Sequence, residues 1–212
     1  MNIALLGATG RTGRHTLATA LDRGHTVTVL TRDPARLPDA VRSRVATVVG
    51  EATDPAALAR LLDRADAVVS ALGPRAKEHD LHTRTARALV EIMQASGPRR
   101  FVGVSGAGID VPGDQKAGKD VAISWLIRTL GGAVVKDKPA EHAVWAASGL
   151  DWTLVRPPRL VDGPPTGHLE HDAHRSTRST TILRSDLGAF LVDVVEQDLY
   201  VGVAPFVATA RG

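Results

Sequence analysis

The 212-residue chain contains no cysteine. Disulfides, thiol nucleophiles and thiolate metal sites are therefore excluded. Aromatic residues are scarce, at 3%. The core must be built mostly from Ala, Val, Leu and Ile, the usual filling of a parallel sheet flanked by helices. Neither sign of charge dominates: 26 basic residues against 23 acidic ones leave a formal net charge of +3. There is no lysine-rich tail and no basic stripe with interleaved aromatics, so nucleic acid is not an expected partner. No apolar run is long enough to span a bilayer, and no charged leader followed by an apolar segment opens the chain. These features point to a soluble, cytoplasmic protein with no membrane partner. Repeats, low-complexity tracts and a domain boundary are also missing. The length and a 43% hydrophobic content suit one domain, spanning 1–212, with a full core.

What is present begins at the first residue. Met1-Asn2-Ile3-Ala4-Leu5-Leu6 is an apolar run of strand length, followed by Gly7-Ala8-Thr9-Gly10-Arg11-Thr12-Gly13 and a helical stretch from Arg14 to Leu21. Strand, glycine-rich turn and helix together make the start of a dinucleotide-binding βαβ unit. Gly7 serves the tight turn, Gly10 lets backbone approach a pyrophosphate, and Gly13 lets the helix pack closely on the strand. The helix N-terminus favours the negative diphosphate.

Strands and helices then alternate. Strands are expected at Thr26–Leu30, Arg44–Val49, Asp66–Leu72, Phe101–Ser105 and Asp151–Arg156. Helices are expected over Ala35–Ala40, from Asp54-Pro55 through Leu62, over residues 80–96, Val121–Leu130 and 136–148, and over Asp186–Val195 with Ser185 as its cap. Short strands are expected at Ser179–Leu183 and Tyr200–Ala204. The fold class is α/β, a doubly wound parallel (Rossmann) sheet. Two loop regions, about 106–135 and 157–180, fall on the substrate side. The stretch 106–120 reads as a mobile loop, and 159–177 as a polar one. Ligands of such sheets sit at the carboxyl ends of the strands, here Gly7, Thr31, Gly50, Leu72-Gly73 and Ser105.

In the basic fingerprint an acidic residue after the second strand binds the ribose 2′-hydroxyl. This chain has Thr31-Arg32-Asp33-Pro34. Arg32 there favours a 2′-phosphate, with help from Arg11 and Arg36, so NADP is preferred over NAD. Asp33 keeps NAD open, and a surface turn is the other reading of Arg32.

Four stretches carry a family resemblance: Gly7 to Gly13; Val29-Leu30-Thr31-Arg32-Asp33-Pro34; Ser148-Gly149-Leu150-Asp151-Trp152-Thr153-Leu154-Val155-Arg156-Pro157; and Arg184-Ser185-Asp186-Leu187-Gly188-Ala189-Phe190. With them the chain resembles the atypical short-chain dehydrogenase/reductases with an NAD(P)-binding, NmrA-like fold. In size, in Pro157-Pro158 and in the Gly163 to Gly167 segment it is similar to the biliverdin-IXβ/flavin reductases. The resemblance implies a bound nicotinamide dinucleotide contacted by Gly7, Thr9, Gly10, Arg11, Thr12, Gly13, Arg32, Leu72, Gly73 and Ser105. It also implies adenine contacts near Gly50-Glu51, where the family usually has Gly-Asp, and nicotinamide packing by Pro157 and Pro158. Typical members carry Tyr-x-x-x-Lys on the helix before Ser148. Lys138 matches the lysine, but the tyrosine position is Val134, and the one tyrosine of the chain is Tyr200.

Hydride transfer needs mainly that cofactor and acceptor be positioned. A proton donor is needed where an alkoxide develops, less so where charge delocalises. The missing phenol therefore favours a small planar acceptor: a flavin, a biliverdin-like tetrapyrrole or a quinone. Ser105 and Lys138 are the candidate catalytic residues, the latter also a ligand of the nicotinamide ribose. Their other readings are a serine capping the next turn and an exposed lysine in the Lys136-Asp137-Lys138 turn. Arg156 and Arg159 are candidates for an anionic substrate, Arg159 the one carried forward. His168, His171 and His174 do not share one helical face, so no metal is expected. The expectation is an NADPH-dependent reductase of a small molecule, monomeric or weakly homo-oligomeric. The alternative is a non-catalytic NADP(H) redox sensor, against which the short length counts.

Overall fold

The computed structural model describes residues 1–73, 78–116 and 132–210, with backbone alone for 132–136. Its centre is a sheet of six parallel strands: β1 (Asn2–Leu6), β2 (Thr26–Thr31), β3 (Ala46–Val49), β4 (Ala67–Ser70), β5 (Arg100–Val104) and β6 (Asp151–Val155). They lie in the order β3-β2-β1-β4-β5-β6. The order reverses direction between β1 and β4, where Ile3 pairs with Ala67 and Leu6 with Ser70. That reversal opens a crevice at the strands' carboxyl ends.

Alternation along β1 builds two cores. Ile3 and Leu5 pack with Leu17 and Leu21 of α1 (Arg11–Asp22) and with Leu187 and Leu191 of the last helix. Ala4 and Leu6 face the opposite layer. There they meet Leu58 and Leu61 of α3 (Pro55–Leu62), Leu89 and Met93 of α4 (Leu81–Ala95) and Trp145 of α5 (Gly132–Ala146). A 3₁₀ turn (Pro34–Arg36) and the four-residue α2 (Asp39–Arg42) stand where one short helix was expected. Asp54 caps α3 through Ala56 N–H at 3.0 Å, with Pro55 behind it. The helix expected over Val121–Leu130 lies outside the described residues.

Several expectations change. The stretch 159–177 is not all loop: β7 (Arg159–Val161) pairs parallel with β9 (Thr181–Leu183), and β8 (Leu169–Asp172) pairs antiparallel with β10 (Phe206–Thr209). The last strand is β10, not Tyr200–Ala204. Tyr200 has φ +58° and stands in a turn, its hydroxyl 2.6 Å from His171 Nδ1. Nor does Ser185 cap the last helix. That helix, α6 (Arg184–Glu196), begins two residues earlier than expected, with Leu183 at the cap position. Ser185 Oγ donates to the Gly163 carbonyl instead. Asp186 accepts from Thr166 N–H, Thr166 Oγ1–H and Gly167 N–H, which ties down the 163–167 segment.

The described part of the 106–120 loop is also held. Ala107 N–H donates to the Pro157 carbonyl, Gln115 N–H to the His174 carbonyl, and Asp114 takes both terminal nitrogens of Arg156 at 2.7 Å. Arg156 is fully buried, and its guanidinium lies 3.8 Å from the Phe206 ring centre. It is thus a structural clamp, which overturns its reading as a substrate-binding cation.

Arg100 joins the sheet to the C-terminal end of α6. Its terminal nitrogens donate to the carbonyls of Asp151, Val194 and Leu199 at 2.9 Å and to Thr153 Oγ1 at 2.9 Å. Lysine has one point of charge and cannot serve this fork of acceptors. Arg100→Lys is expected to lower stability by about 1–3 kcal/mol, since buried carbonyls lose their donors. A lower urea midpoint with an unchanged m value would record this. An unchanged midpoint would contradict it.

Candidate functional site

The turn after β1 starts the site. Gly7 has φ +81°, and a Cβ there would lie 2.6 Å from the Ala71 carbonyl oxygen. Glycine therefore lets the chain leaving β1 run against the chain leaving β4. A Cβ on Gly13 would lie 2.0 Å from Gly7 O, so the first turn of α1 is seated on the strand end. Gly10 is the N-cap in extended conformation, and no side chain caps the helix. Its leading N–H groups and dipole remain for an anion.

From this turn a cleft of about 500 Å³ runs across the switch point. That is within the usual range of small-molecule sites, about 300–1,000 Å³. Of the sequence-predicted residues, Gly7, Thr9, Gly10, Arg32, Gly50, Leu72 and Gly73 line it together. Asp33 and Arg36 line it as well. Thr31, named among the strand ends, lines it too. Leu30, Ala52 and Ala71 also line it and were missed. Their signal was available, because each lies at or just past the carboxyl end of a sheet strand. Gly50 has a second reason to be glycine: a Cβ there would meet Ala57 Cβ of α3 at 2.4 Å.

At the end of the cleft after β2, Asp33 is engaged within the protein. Its Oδ1 accepts from Ala35 N–H at 3.0 Å and caps the 3₁₀ turn. Its backbone N–H is held by Thr31 Oγ1 at 3.2 Å. Arg32 is half-exposed, with Nε 4.0 Å from the equally exposed Glu51 Oε1. A pair so open to water is worth little and yields readily to a better anion. Arg11, first residue of α1, is exposed, 4.0 Å from Asp162. Thr12 and Gly13 are buried in the first turn of the helix.

Ser105, Lys138, Pro157 and Pro158 belong to the ends of β5 and β6 rather than to the lining of this cleft. Ser105 follows β5 and donates its N–H to the Val155 carbonyl at 2.7 Å. Its hydroxyl is buried and has no hydrogen-bond partner among the described residues. Pro157 is buried and Pro158 half-buried just past β6. Lys138 lies within α5, not in an exposed turn. Its ammonium donates to the Val104 carbonyl at 2.9 Å, Glu141 Oε2 at 2.8 Å and His82 Nδ1 at 3.0 Å. Burial and the neighbouring Lys138 charge push His82 down to about 3, so the ring is neutral. Burial pushes the Glu141 carboxyl up, and the Lys138 ammonium opposes that.

His82, Glu141 and Asp137 were not anticipated. Asp137 caps α4 from the neighbouring helix, accepting His82 N–H at 2.8 Å and Thr83 N–H at 3.0 Å. Arg159 opens β7 as an exposed residue, paired to β9 and away from the central sheet. Among the described residues no group of three His, Asp or Glu side chains is placed to hold a metal ion. Nor is any described helix long and apolar enough to cross a membrane.

These features fit a dinucleotide: glycines where a Cβ would fill the cradle, an uncapped helix start, cations after β2 and a buried hydroxyl without a partner after β5. Comparison with known proteins agrees. Residues 7–198 match the NAD(P)H-binding family. A crystal structure of a candidate exported protein from Burkholderia pseudomallei is 31% identical, covers 98% of this chain and 99% of its own, and has a TM-score of 0.78. A short-chain dehydrogenase/reductase from Veillonella parvula, in complex with NADP, shares the fold at 21% identity, with coverage of 98% and 94% and a TM-score of 0.82. So does a candidate NADH-flavin reductase from Streptococcus pneumoniae, at 20% identity, with coverage of 99% and 100% and a TM-score of 0.78. The curated protein YwnB of Bacillus subtilis is 32% identical over 108 residues, and the match spans about half of each chain, 51% of this one and 48% of YwnB. With its six-stranded Rossmann sheet and its glycine-rich first turn, the chain belongs to the NAD(P)H-binding family.

Proposed function

We propose that the protein is a cytoplasmic, NADPH-dependent reductase of a small planar acceptor such as a flavin, a biliverdin-like tetrapyrrole or a quinone. The observation that carries this reading is the Ser105 hydroxyl, buried just past β5 with no partner among the described residues. A buried hydroxyl left unpaired costs stability, and a ligand that bonds it recovers that cost. The bound nicotinamide would supply the hydride. The chain's own part is to bind, orient and exclude water.

The turn from Gly7 to Gly13 and the start of α1 would hold the diphosphate. Arg32 and Arg36 would take the 2′-phosphate, because Asp33 is engaged as a cap and offers its carboxylate poorly to a ribose hydroxyl. Leu72, Gly73, Pro157 and Pro158 would border the nicotinamide. Ser105 would bond the carboxamide or the acceptor, and Lys138 the nicotinamide ribose. Arg159, exposed on β7, stays a proposal for an anionic group of the acceptor. With Val134 at the family's tyrosine position, no phenol stands ready to protonate an alkoxide. An acceptor that spreads charge over its rings and takes its proton from water suits such a site. The NADP-bound and flavin-reductase neighbours support the same reading.

The first test follows loss of NADPH absorbance with flavin mononucleotide, riboflavin, biliverdin, a quinone and a simple ketone, with NADH in parallel. Turnover is expected on a planar acceptor and not on the ketone. Tight NADPH binding with no turnover on any acceptor would replace this reading with that of a redox sensor.

Arg32→Ala is expected to weaken NADPH binding about tenfold while leaving NADH binding nearly unchanged, the loss of one charge-assisted contact. Titration by cofactor fluorescence separates the two. Equal loss for both cofactors would assign Arg32 to the adenine or the protein surface. Ser105→Ala should leave the melting temperature of the protein without cofactor unchanged or slightly raised, because its hydroxyl bonds nothing there. The same substitution should cut kcat/KM about fivefold to tenfold. A large drop in melting temperature would make the serine structural.

A further inference from the structure

Lys138 has three protons to give, and Val104 O, Glu141 Oε2 and His82 Nδ1 take all three. A cofactor hydroxyl can therefore be bound by Lys138 only if one of these acceptors lets go. They are not equal. Val104 O is the backbone carbonyl closing β5, fixed by pairing with β6 through Val155. Glu141 lies three residues on in the same helix, and its bond is charge-assisted, the stronger kind. His82 is neutral, comes from a different helix and makes the longest of the three contacts. Its other ring nitrogen, Nε2, is buried and has no partner among the described residues, so no second bond from them secures the ring in that role. Its backbone, by contrast, is firmly held by Asp137. The ring can thus give up its proton donor without α4 moving.

We propose that His82 is a positioning residue that holds the place of a cofactor hydroxyl on Lys138, and that the nicotinamide ribose displaces it when the dinucleotide binds. The inference rests on the proposed role of Lys138 toward the ribose. It makes Lys138 pre-oriented: the Val104 and Glu141 bonds fix the ammonium, and only the third direction is exchanged. Binding then gives up one hydrogen bond from the ammonium to a neutral ring nitrogen, and removing His82 removes that cost.

The test measures NADP⁺ and NADPH affinity by calorimetry for the wild type, Lys138→Met and His82→Leu. Lys138→Met should weaken binding. His82→Leu should tighten it about fivefold or more, the worth of one competing hydrogen bond to the ammonium. Affinity that is unchanged or weaker in His82→Leu, while Lys138→Met still weakens binding, would overturn the exchange and leave the lysine's role standing. No effect of Lys138→Met would instead remove the ribose contact on which the exchange depends.

A second readout does not depend on the leucine variant folding. Histidine ring ¹⁵N shifts of the wild type are followed on NADP⁺ titration, with His82 assigned from His82→Gln. The Nδ1 resonance should move as the lysine proton leaves it. A resonance that stays fixed at saturation would overturn the proposal.

Discussion

The seating of α1 on the end of β1 is the contact from which the rest of the molecule is laid out. Gly7 turns with φ +81°, and Gly13 comes so close to its carbonyl that a Cβ would lie 2.0 Å away. Once that turn is closed, α1 lies flat over one face of the sheet and returns the chain to β2 beside β1. The other half of the sheet must then grow from β4 on the far side of β1, and the crevice at the switch point is fixed. A second close approach extends the arrangement. Gly188 of α6 faces α1, where a Cβ would meet His15 Cβ and Thr16 N at 2.7 Å. The start of α6 carries Asp186, which anchors the 163–167 segment through three donors. The 163–167 segment is thereby tied, through two small residues on helices, to the glycine turn after β1.

Charge is distributed on a similar logic. Most ionic side chains near the site are engaged within the protein. Arg156 binds Asp114, Arg100 serves five backbone and hydroxyl oxygens, Asp33 caps a turn, and Asp137 caps a helix to which it does not belong. Burying such groups is tolerable only because each finds partners. What is left over is therefore informative. Arg32 and Arg36 at the edge of the cleft are weakly engaged or turned to it, and the Ser105 hydroxyl has no partner. The ligand-facing polarity of this fold is a remainder after its internal needs are met.

That distinction explains which features the sequence could and could not reveal. The first βαβ unit, the strand ends and the caps at Asp54 and Gly10 are local: the residues responsible lie within a few positions of what they determine. The uses of Arg156, His82 and Asp137 are not local. Arg156 meets Asp114 across 42 positions, and Asp137 reaches His82 across 55. No periodicity records such pairs, so a buried clamp looked like a free cation. The short strands β7 and β8 escaped because three or four half-exposed residues carry no readable alternation. Tyr200-Val201-Gly202-Val203-Ala204 misled in the opposite direction. Its apolar spacing suits a strand, yet positive φ at Tyr200 and Gly202 bends it into a turn. Within α5, Pro139 does not break the helix, and the helix begins at Gly132, earlier than residue 136.

The lysine and the missing phenol can be weighed together. Were a tyrosine at position 134, a lysine nearby would serve chiefly to favour its phenolate. Here the ammonium is instead bound on all three sides by a carbonyl, a carboxylate and a neutral ring, which orient it. A cation so held is placed to bind a hydroxyl or a developing negative charge. The Ser105 hydroxyl is a poor acid. On the proposed reading, the site is thus strong in orientation and weak in proton supply. Reactions that suit it are those whose product anion is already stabilised by its own conjugation, with water completing the proton transfer. The chemistry of the acceptor, rather than of any side chain, then sets which reductions this protein can perform.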